Sequence, residues 1–254
     1  MAITIKSERE IELMAEAGKM LERVHNELEK ALRPGMSTKD IDTLGEEIIR
    51  SYGCIPSFLN YNGYPASICV SVNQEVVHGI PDKHRIIQEG DIVSLDAGVI
   101  YKGYHSDAAR THAVGEVSEE AKKLIRVTKE SFFEGIKFAK AGNHLFDISG
   151  AIGRYAEERG YGVVRDLCGH GIGTALHEAP EIPNYEVGRK GVKLRPGMTL
   201  AIEPMINIGT YEVDWLDDDW TVVTRDGSLS AHYENTILIT EGEPRILSLT
   251  CENE

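Results

Sequence analysis

The sequence predicts an α/β (α+β) fold made of one helix–helix–hairpin unit used twice, with pseudo-two-fold symmetry. A constant offset between motifs, the order of elements in each half and an acidic residue at the same place on each hairpin carry that prediction. Displaced by 107 residues, Gly35-x4-Asp40-Ile41 falls on Gly142-x4-Asp147-Ile148, and Gly53, closing a helical pattern, falls on Gly160. Glu89-Gly90-x5-Asp96 likewise falls on Pro196-Gly197-x5-Glu203, and Gly63 on His170 within glycine-rich loops. A two-fold repeat of this length marks a duplicated unit and not a solenoid. The match slips after Glu203, where 208–227 is longer than its counterpart. The chain reads as a single domain over 1–254, with halves at about 7–117 and 118–247.

The elements follow in order. Ser7-Glu8-Arg9-Glu10 is a capping box, and Ile11, Met14, Leu21, Val24 and Leu28 then share one helical face. Pro34-Gly35 ends that helix. Ser37 or Thr38 opens a second, from Lys39 to about Tyr52, stopping at Gly53. Residues 55–72 are loop and strand, with a turn at Asn60-Tyr61-Asn62-Gly63-Tyr64-Pro65. A short strand then leads to His78 beside a Gly-Ile-Pro turn. After the first hairpin, Ser118 caps a helix running to about Ala141, and Phe146 to Arg159 is another. Leu167 to Gly173 holds a glycine-flanked His170, with His177 following, and 194–247 is strand-rich, its return strand running His232 to Ile239.

Composition excludes several classes. A hydrophobic content of 41% belongs to a globular chain. No apolar run approaches a membrane span, and the polar start carries no signal peptide, so a cytoplasmic protein with no membrane partner is expected. Cys54, Cys69, Cys168 and Cys251 lack C-x-x-C spacing, against a disulfide framework or a cysteine-built zinc site. A net charge of −14 disfavours nucleic acid as a partner.

The stretch Ser94 to Glu116 carries the chemistry. Val93, Leu95, Ala97 and Val99 alternate along one apolar face, the chain turns near Tyr101-Lys102-Gly103, and it returns through Ser106 to Thr111. With the turn centred there, Asp96 and Asp107 are expected directly opposite each other, with Cβ atoms about 5 Å apart. Facing carboxylates need a shared proton or a cation; the alternative is a slipped register that turns both to water. In the second half Glu203 and Glu234 correspond to them. Two such hairpins meeting face to face bring four carboxylates together, a charge that two divalent ions neutralise. Carboxylates with one imidazole, for which His170 is the candidate, suit Mn, Fe, Co or Zn. Two ions under ~4 Å apart activate a shared water for hydrolysis.

These residues carry a resemblance. His78-Gly-Ile-Pro, Leu95-Asp-Ala-Gly with Tyr104-His-Ser-Asp-Ala-Ala-Arg-Thr, Cys168-Gly-His-Gly-Ile-Gly, Arg195-Pro-Gly-Met-Thr-Leu-Ala-Ile-Glu-Pro and Leu229-Ser-Ala-His-Tyr-Glu-Asn-Thr are together similar to the type I methionine aminopeptidases of the short form. The similarity spans the first helix to the last strand and implies their pita-bread fold. It implies Asp96, Asp107, His170, Glu203 and Glu234 as metal ligands, with Asp107 and Glu234 bridging two divalent ions, and Glu203 as proton shuttle. His177 is implied as the group that stabilises the tetrahedral intermediate, and His78 as a contact near the scissile amide. Tyr61, Tyr64, Cys69 and Trp220, with Phe58, are implied as the methionine pocket, where sulfur–aromatic contacts suit a thioether. A monovalent cation on carbonyls near Asn73, Glu75 and Ser230 is implied too. The expected reaction is metal-dependent removal of N-terminal methionine from nascent proteins with a small second residue, by attack of a metal-bridging hydroxide. A monomer with transient ribosome contact is expected.

Asn235 stands where the family commonly has His, Asn62 where bacterial members often have His, and Leu176 where an aromatic is common. Strand parity turns Asn235 away from the Glu234 face, so the metal site is expected to survive, while Asn62 and Leu176 bear on pocket shape and inhibitor preference and not on reaction type. Asp217-Asp218-Asp219 reads as a solvated loop. His25, His84, His105, His112, His144 and His232 read as structural or solvent-facing. The glycines around His170 lack the lysine of a phosphate-binding loop. Competing readings are a prolyl peptidase of the same fold, which usually carries an added N-terminal domain, and a non-catalytic or metal-free relative, which typically lacks the ligands.

Overall fold

A computed structural model describes residues 3–249; Cys251 lies outside them. In chain order the helices are α1 (Glu8–Ala31), α2 (Thr38–Ser51), α3 (Glu119–Ile136) and α4 (Leu145–Glu157). The first-half strands are β1 (Ile55–Pro56), β2 (Ile68–Val72), β3 (Glu75–Val77), β4 (Ile92–Tyr101) and β5 (Tyr104–Ala113). After them come β6 (Gly162–Val163), β7 (Gly169–Gly171), β8 (Glu178–Ile182), β9 (Thr199–Ile202) and β10 (Met205–Asn207). The last are β11 (Val213–Trp215), β12 (Val222–Thr224), β13 (Ser230–His232), β14 (Glu234–Leu238) and β15 (Arg245–Ile246).

The helices begin where their caps dictate. Glu10 closes the box on Ser7, and Ser37 with Asp40 does the same for α2; such a cap contributes about 1 kcal/mol. The duplication shows in the helix starts, Thr38 for α2 and Leu145 for α4, which keep the offset of the motifs. α3 stops at Ile136 and not near Ala141, because Gly135 and a turn through Lys137–Phe138 end it.

One nine-stranded sheet has the order β1-β4-β5-β14-β9-β7-β8, with β2 on β4 and β15 on β14. The two hairpins therefore lie side by side in one sheet, joined where β5 pairs with β14, and not face to face. Thr236 stitches that seam: its hydroxyl accepts from the Asp107 N–H and donates to the Asp107 carbonyl, each at 2.9 Å. The helices cover one face of the sheet. Leu21, Val24 and Leu28 of α1 and Ile41 and Ile49 of α2 pack on Val93, Leu95, Ala97 and Val99. Phe132, Ile148 and Ile152 pack on Leu200, Ile202 and Ile237 in the second half. Truncating a fully buried member such as Leu21 or Phe132 to Ala costs about 2–5 kcal/mol.

The β4–β5 hairpin departs from expectation in register. Lys102 and Gly103 both have positive φ, 48° and 86°, the conformation of a two-residue turn that follows strand twist. The turn centre sits one residue later than expected, so Asp96 pairs with Ala109 and Asp107 with Gly98. The two carboxylates are diagonal neighbours on one face, not direct partners.

The second half is interrupted. Its strands break at Glu203-Pro204 and at Tyr233, so β9 pairs with β14 while β10 pairs with β13 in a separate sheet with β6. The expected continuous strand His232 to Ile239 is thus two strands. The longer 208–227 segment is not a loop but carries the hairpin β11–β12, which adds to β3 in a third sheet.

Candidate metal centre and substrate pocket

Five consecutive strands of the large sheet bring the candidate ligands together. Asp96 comes from β4, Asp107 from β5, Glu234 from β14, Glu203 from the residue after β9, and His170 from β7. The register pairs Asn235 with Ile202, and one step further it aligns Glu234 with Glu203. Glycines flank His170 because β7 is squeezed between neighbours. A Cβ at Gly169 would lie 2.4 Å from the Ala201 carbonyl oxygen, and one at Gly171 would lie 2.1 Å from that of Ala179.

His170 Nδ1 is 2.9 Å from the Gly171 carbonyl, so Nδ1 carries the proton and Nε2 presents its lone pair. Nε2 lies 4.0 Å from Asp107 Oδ2 and 3.7 Å from Glu203 Oε1. Donor atoms of Asp107, His170 and Glu234 all lie within 4.8 Å of one another. Burial pushes the Asp96 carboxyl up to about 7. Asp107 rises well above the carboxylate range through burial and then the charges of Asp96 and Glu203. Burial raises Glu203 too, helped by Asp96. Glu234 rises through burial, Asp107, Glu203 and Asp96, with Arg110 opposing.

This donor set fits divalent cations. Asp96 Oδ1, Asp107 Oδ1 and Glu234 Oε1 are buried without a hydrogen-bond partner, a cost that a cation removes. The sheet behind them is tied down. Arg110 donates to the backbone carbonyls of Ala109 and Glu234, and at 2.6 Å to Asn235 Oδ1. Asn235 thus points away from the ligand face, as strand parity predicts.

The candidate ligands form one end of a cavity of about 130 Å3, whose other lining residues are Phe58, Tyr61, Asn62, Tyr64, Cys69, His78, Leu176, His177 and Trp220. Each side chain has a local reason to be there. Cys69 on β2 pairs directly with Asp96, and burial pushes its thiol well up, so it stays protonated. The Tyr64 hydroxyl donates to the Gly79 carbonyl at 3.0 Å, fastening the pocket loop to the His78 turn. The Trp220 ring stands edge-on to Tyr64 at 5.1 Å and to His78 at 6.3 Å. The Tyr61 hydroxyl is 2.8 Å from His177 Nδ1, and the His177 ring lies edge-on to His170 at 4.2 Å. Burial lowers the pKa of His177 and takes that of His78 down to about 4, so both rings are neutral near pH 7.

Asn73 and Ser230 also meet, through an Asn73 carbonyl that accepts from the Ser230 N–H at 2.9 Å. Of the histidines read as structural or solvent-facing, His232 is buried beside the candidate ligands. It is 2% exposed, its Nε2 lies 3.7 Å from Glu203 Oε2, and neither ring nitrogen has a hydrogen-bond partner among the described residues. Its even spacing from Glu234 was the available signal.

The description of metallopeptidase family M24 matches residues 12–241. The chain belongs to that family. It is 58% identical to a methionine aminopeptidase of Clostridium acetobutylicum over 250 residues, 98% of this chain and all of the relative. The crystal structure of methionine aminopeptidase from Thermotoga maritima superposes with a TM-score of 0.96 at 48% identity, covering 98% of this chain and 100% of that one. The Xaa-Pro dipeptidase of Bacillus anthracis shares the fold at a TM-score of 0.78 and 27% identity, covering 97% of this chain and 62% of that one. The chain is therefore an M24 metallopeptidase of the pita-bread fold, with a divalent-metal site.

Proposed function

We propose that this chain is a metal-dependent aminopeptidase that removes N-terminal methionine from peptides and nascent proteins whose second residue is small. The observation that carries the reading is one small cavity with buried carboxylates and His170 at one end and an apolar wall at the other. That wall, of Phe58, Tyr64, Cys69 and Leu176 with Tyr61 and Trp220, suits one unbranched thioether side chain. Full-length similarity to methionine aminopeptidases supports it.

Asp96, Asp107, His170, Glu203 and Glu234 would hold two divalent ions, drawn from Co, Mn, Fe(II) or Zn, with Asp107 and Glu234 shared between them. Bound ions supply charge neutralisation, a polarised substrate carbonyl and a water acidic enough to attack at neutral pH. The chain's own groups do the rest. Tyr61 donates its hydroxyl proton to His177 Nδ1, which leaves Nε2–H as a donor for the scissile carbonyl oxygen as negative charge grows there. Glu203 accepts the proton lost by the attacking water and returns it to the departing amine nitrogen as the C–N bond breaks. His78, neutral and held against Trp220, contacts the peptide beside the scissile amide. We read 1–254 as a single catalytic domain that works as a cytoplasmic monomer with transient ribosome contact, with a monovalent cation on the carbonyls near Asn73, Glu75 and Ser230. Among the described residues no helix is long and apolar enough to cross a membrane.

The test is cleavage of Met-Ala-Ser against Met-Lys-Ser, Leu-Ala-Ser and Ala-Pro peptides by metal-stripped protein given Mn, Co, Fe(II) or Zn. Metal-dependent methionine release from Met-Ala-Ser alone is expected. Turnover of the proline peptide instead moves the chain to the prolyl branch, and no turnover with any metal overturns the enzyme reading.

A further inference from the structure

The cavity does not end at the ligands. His170 and His177 also line a larger groove of about 630 Å3 that runs outward past Cys168, Glu178, Glu181 and Arg189. A peptide whose first side chain fills the small cavity continues along this groove. One side of it is β8, the last strand of the large sheet. In the β7–β8 ladder Glu181 pairs directly with His170, so both side chains project from the same face. A strand spacing of about 4.8 Å against a rise of about 3.3 Å per residue sets Glu181 one to two residues beyond the scissile carbonyl.

The two groove carboxylates near the ligands are not equivalent. Glu178 is already engaged: its Oε2 meets Lys6 Nζ and Thr4 Oγ1, each at 2.6 Å, and Oε1 accepts from the Ala175 N–H at 3.3 Å. Glu181 is exposed and has neither an ion pair nor a hydrogen bond from its side chain among the described residues. Arg189 also lines the groove, 5.3 Å over the Phe146 ring, and forms no ion pair with Glu181 among the described residues. Once two divalent ions match the four ligand carboxylates, the centre is formally neutral and Glu181 is an uncompensated negative charge in the path of the substrate.

We propose that Glu181 is a specificity-determining residue that selects methionyl substrates with a basic third residue over those with an acidic one. The proposal rests on the aminopeptidase reading above and adds to it a substrate class for the same site. The attraction is between partly exposed groups, so its effect is modest and weakens with salt.

The experiment measures kcat/KM of the metal-loaded protein for Met-Ala-Lys-Ser, Met-Ala-Gln-Ser and Met-Ala-Glu-Ser at low and high ionic strength. At low salt the lysine peptide is expected to exceed the glutamate peptide by about three- to ten-fold, the order that exposed charge pairs supply. The ratio should lie mainly in KM and shrink at high salt. Glu181→Gln should bring the ratio near one, and Glu181→Lys should invert it; both sit on an exposed edge position. Glu47→Gln, which removes one exposed charge on α2, should keep the ratio. A ratio near one in the unaltered protein overturns the proposal. So does a preference that survives Glu181→Gln or is lost equally in Glu47→Gln, which would assign it to the net charge of −14. No methionine release from any of the three peptides overturns the aminopeptidase reading itself, and the selectivity proposal with it.

Discussion

The two halves of the molecule use one plan and spend it differently. In the first half β4 and β5 are unbroken ten-residue strands, and their carboxylates sit inside a continuous ladder. In the second half the equivalent strands break at Glu203-Pro204 and Tyr233, and a hairpin is inserted between them. The unbroken half holds Asp96 and Asp107 within strands that have a neighbour on both sides, Asp96 between β2 and β5 and Asp107 between β4 and the Thr236 hydroxyl of β14. The broken half frees Glu203 at a strand end, where its neighbours are His170 and His232, and carries Trp220 back over the pocket. Duplication places acidic residues on both hairpins, and the break in one copy leaves a cavity beside them.

The largest test of that contrast removes a ligand from either side of the seam. Asp107→Asn in the unbroken half and Glu234→Gln in the broken half should each lower metal affinity by more than ~100-fold, since even outer partners of ligands cost 10–100-fold. Titration calorimetry of metal-stripped protein reads this directly. Stoichiometric tight binding and full activity in either variant would remove that residue from the bridging role. His177→Ala should leave metal content unchanged and lower kcat ~100-fold or more. Loss of metal in that variant would make His177 a ligand.

Much of this was legible because carboxylates and helix caps sit at fixed spacings. The apolar face of β4 and the face of Asn235 follow from periodicity and the caps at Ser7 and Ser118 from residue type, while the sequence left the second cap open between Ser37 and Thr38 and the structure places it at Ser37. The Asp96–Asp107 pairing did not, because moving a turn centre by one residue shifts every partner by two. That shift keeps faces and changes neighbours, so the site survived the error. Lys102-Gly103, with glycine second, was the turn signal. The break at Tyr233 was not legible, because it depends on which sheet each segment joins, a non-local choice that no local pattern encodes. The β11–β12 hairpin was missed for a related reason: its partner is β3, more than a hundred residues earlier.

The carboxylates on both sides of the seam are raised, and this gives metal-free protein a distinctive pH response. A carboxyl whose folded pKa lies above its unfolded value holds its proton more tightly when folded. The contribution of these carboxyls to folding stability is then greatest at low pH and is lost as pH rises from the unfolded value near 4 through the folded value, about 7 for Asp96, while the buried histidines with lowered pKa, among them His78, His105, His170 and His232, contribute in the opposite direction. Metal-free protein should therefore lose Tm across that interval relative to an Asp96→Asn variant, which lacks one raised carboxyl but keeps the histidines. Metal should restore it, increasingly so toward neutral pH. Scanning calorimetry at fixed ionic strength decides the matter, and a Tm difference between metal-free protein and Asp96→Asn that stays constant from pH 5 to 7 would contradict the buried, mutually repelling arrangement.

The smallest expected effect lies in the inserted hairpin. Asp218 organises its turn: Oδ1 accepts from the Trp220 and Thr221 N–H groups at 2.9 and 2.7 Å, and Oδ2 accepts from the Thr221 hydroxyl at 2.6 Å. The Thr221 hydroxyl oxygen in turn accepts from the Ile80 N–H at 3.4 Å, two residues from His78. One side chain therefore links the hairpin that carries Trp220 to the turn that carries His78. Asp218→Ala should loosen that wall without touching the ligands. Each lost hydrogen bond is worth about 1 kcal/mol at most in such an exposed turn, and only part of that reaches the pocket. KM for methionyl peptides should rise about two- to five-fold, with kcat and metal content little changed. Discrimination between methionine and leucine at the first position should narrow, because a mobile Trp220 no longer defines the apolar wall. Asp218→Asn retains an acceptor for the two N–H groups and should recover most of the loss. An unchanged KM and an unchanged methionine-to-leucine ratio in Asp218→Ala would show that Tyr64 and His78 hold Trp220 without help from the hairpin turn.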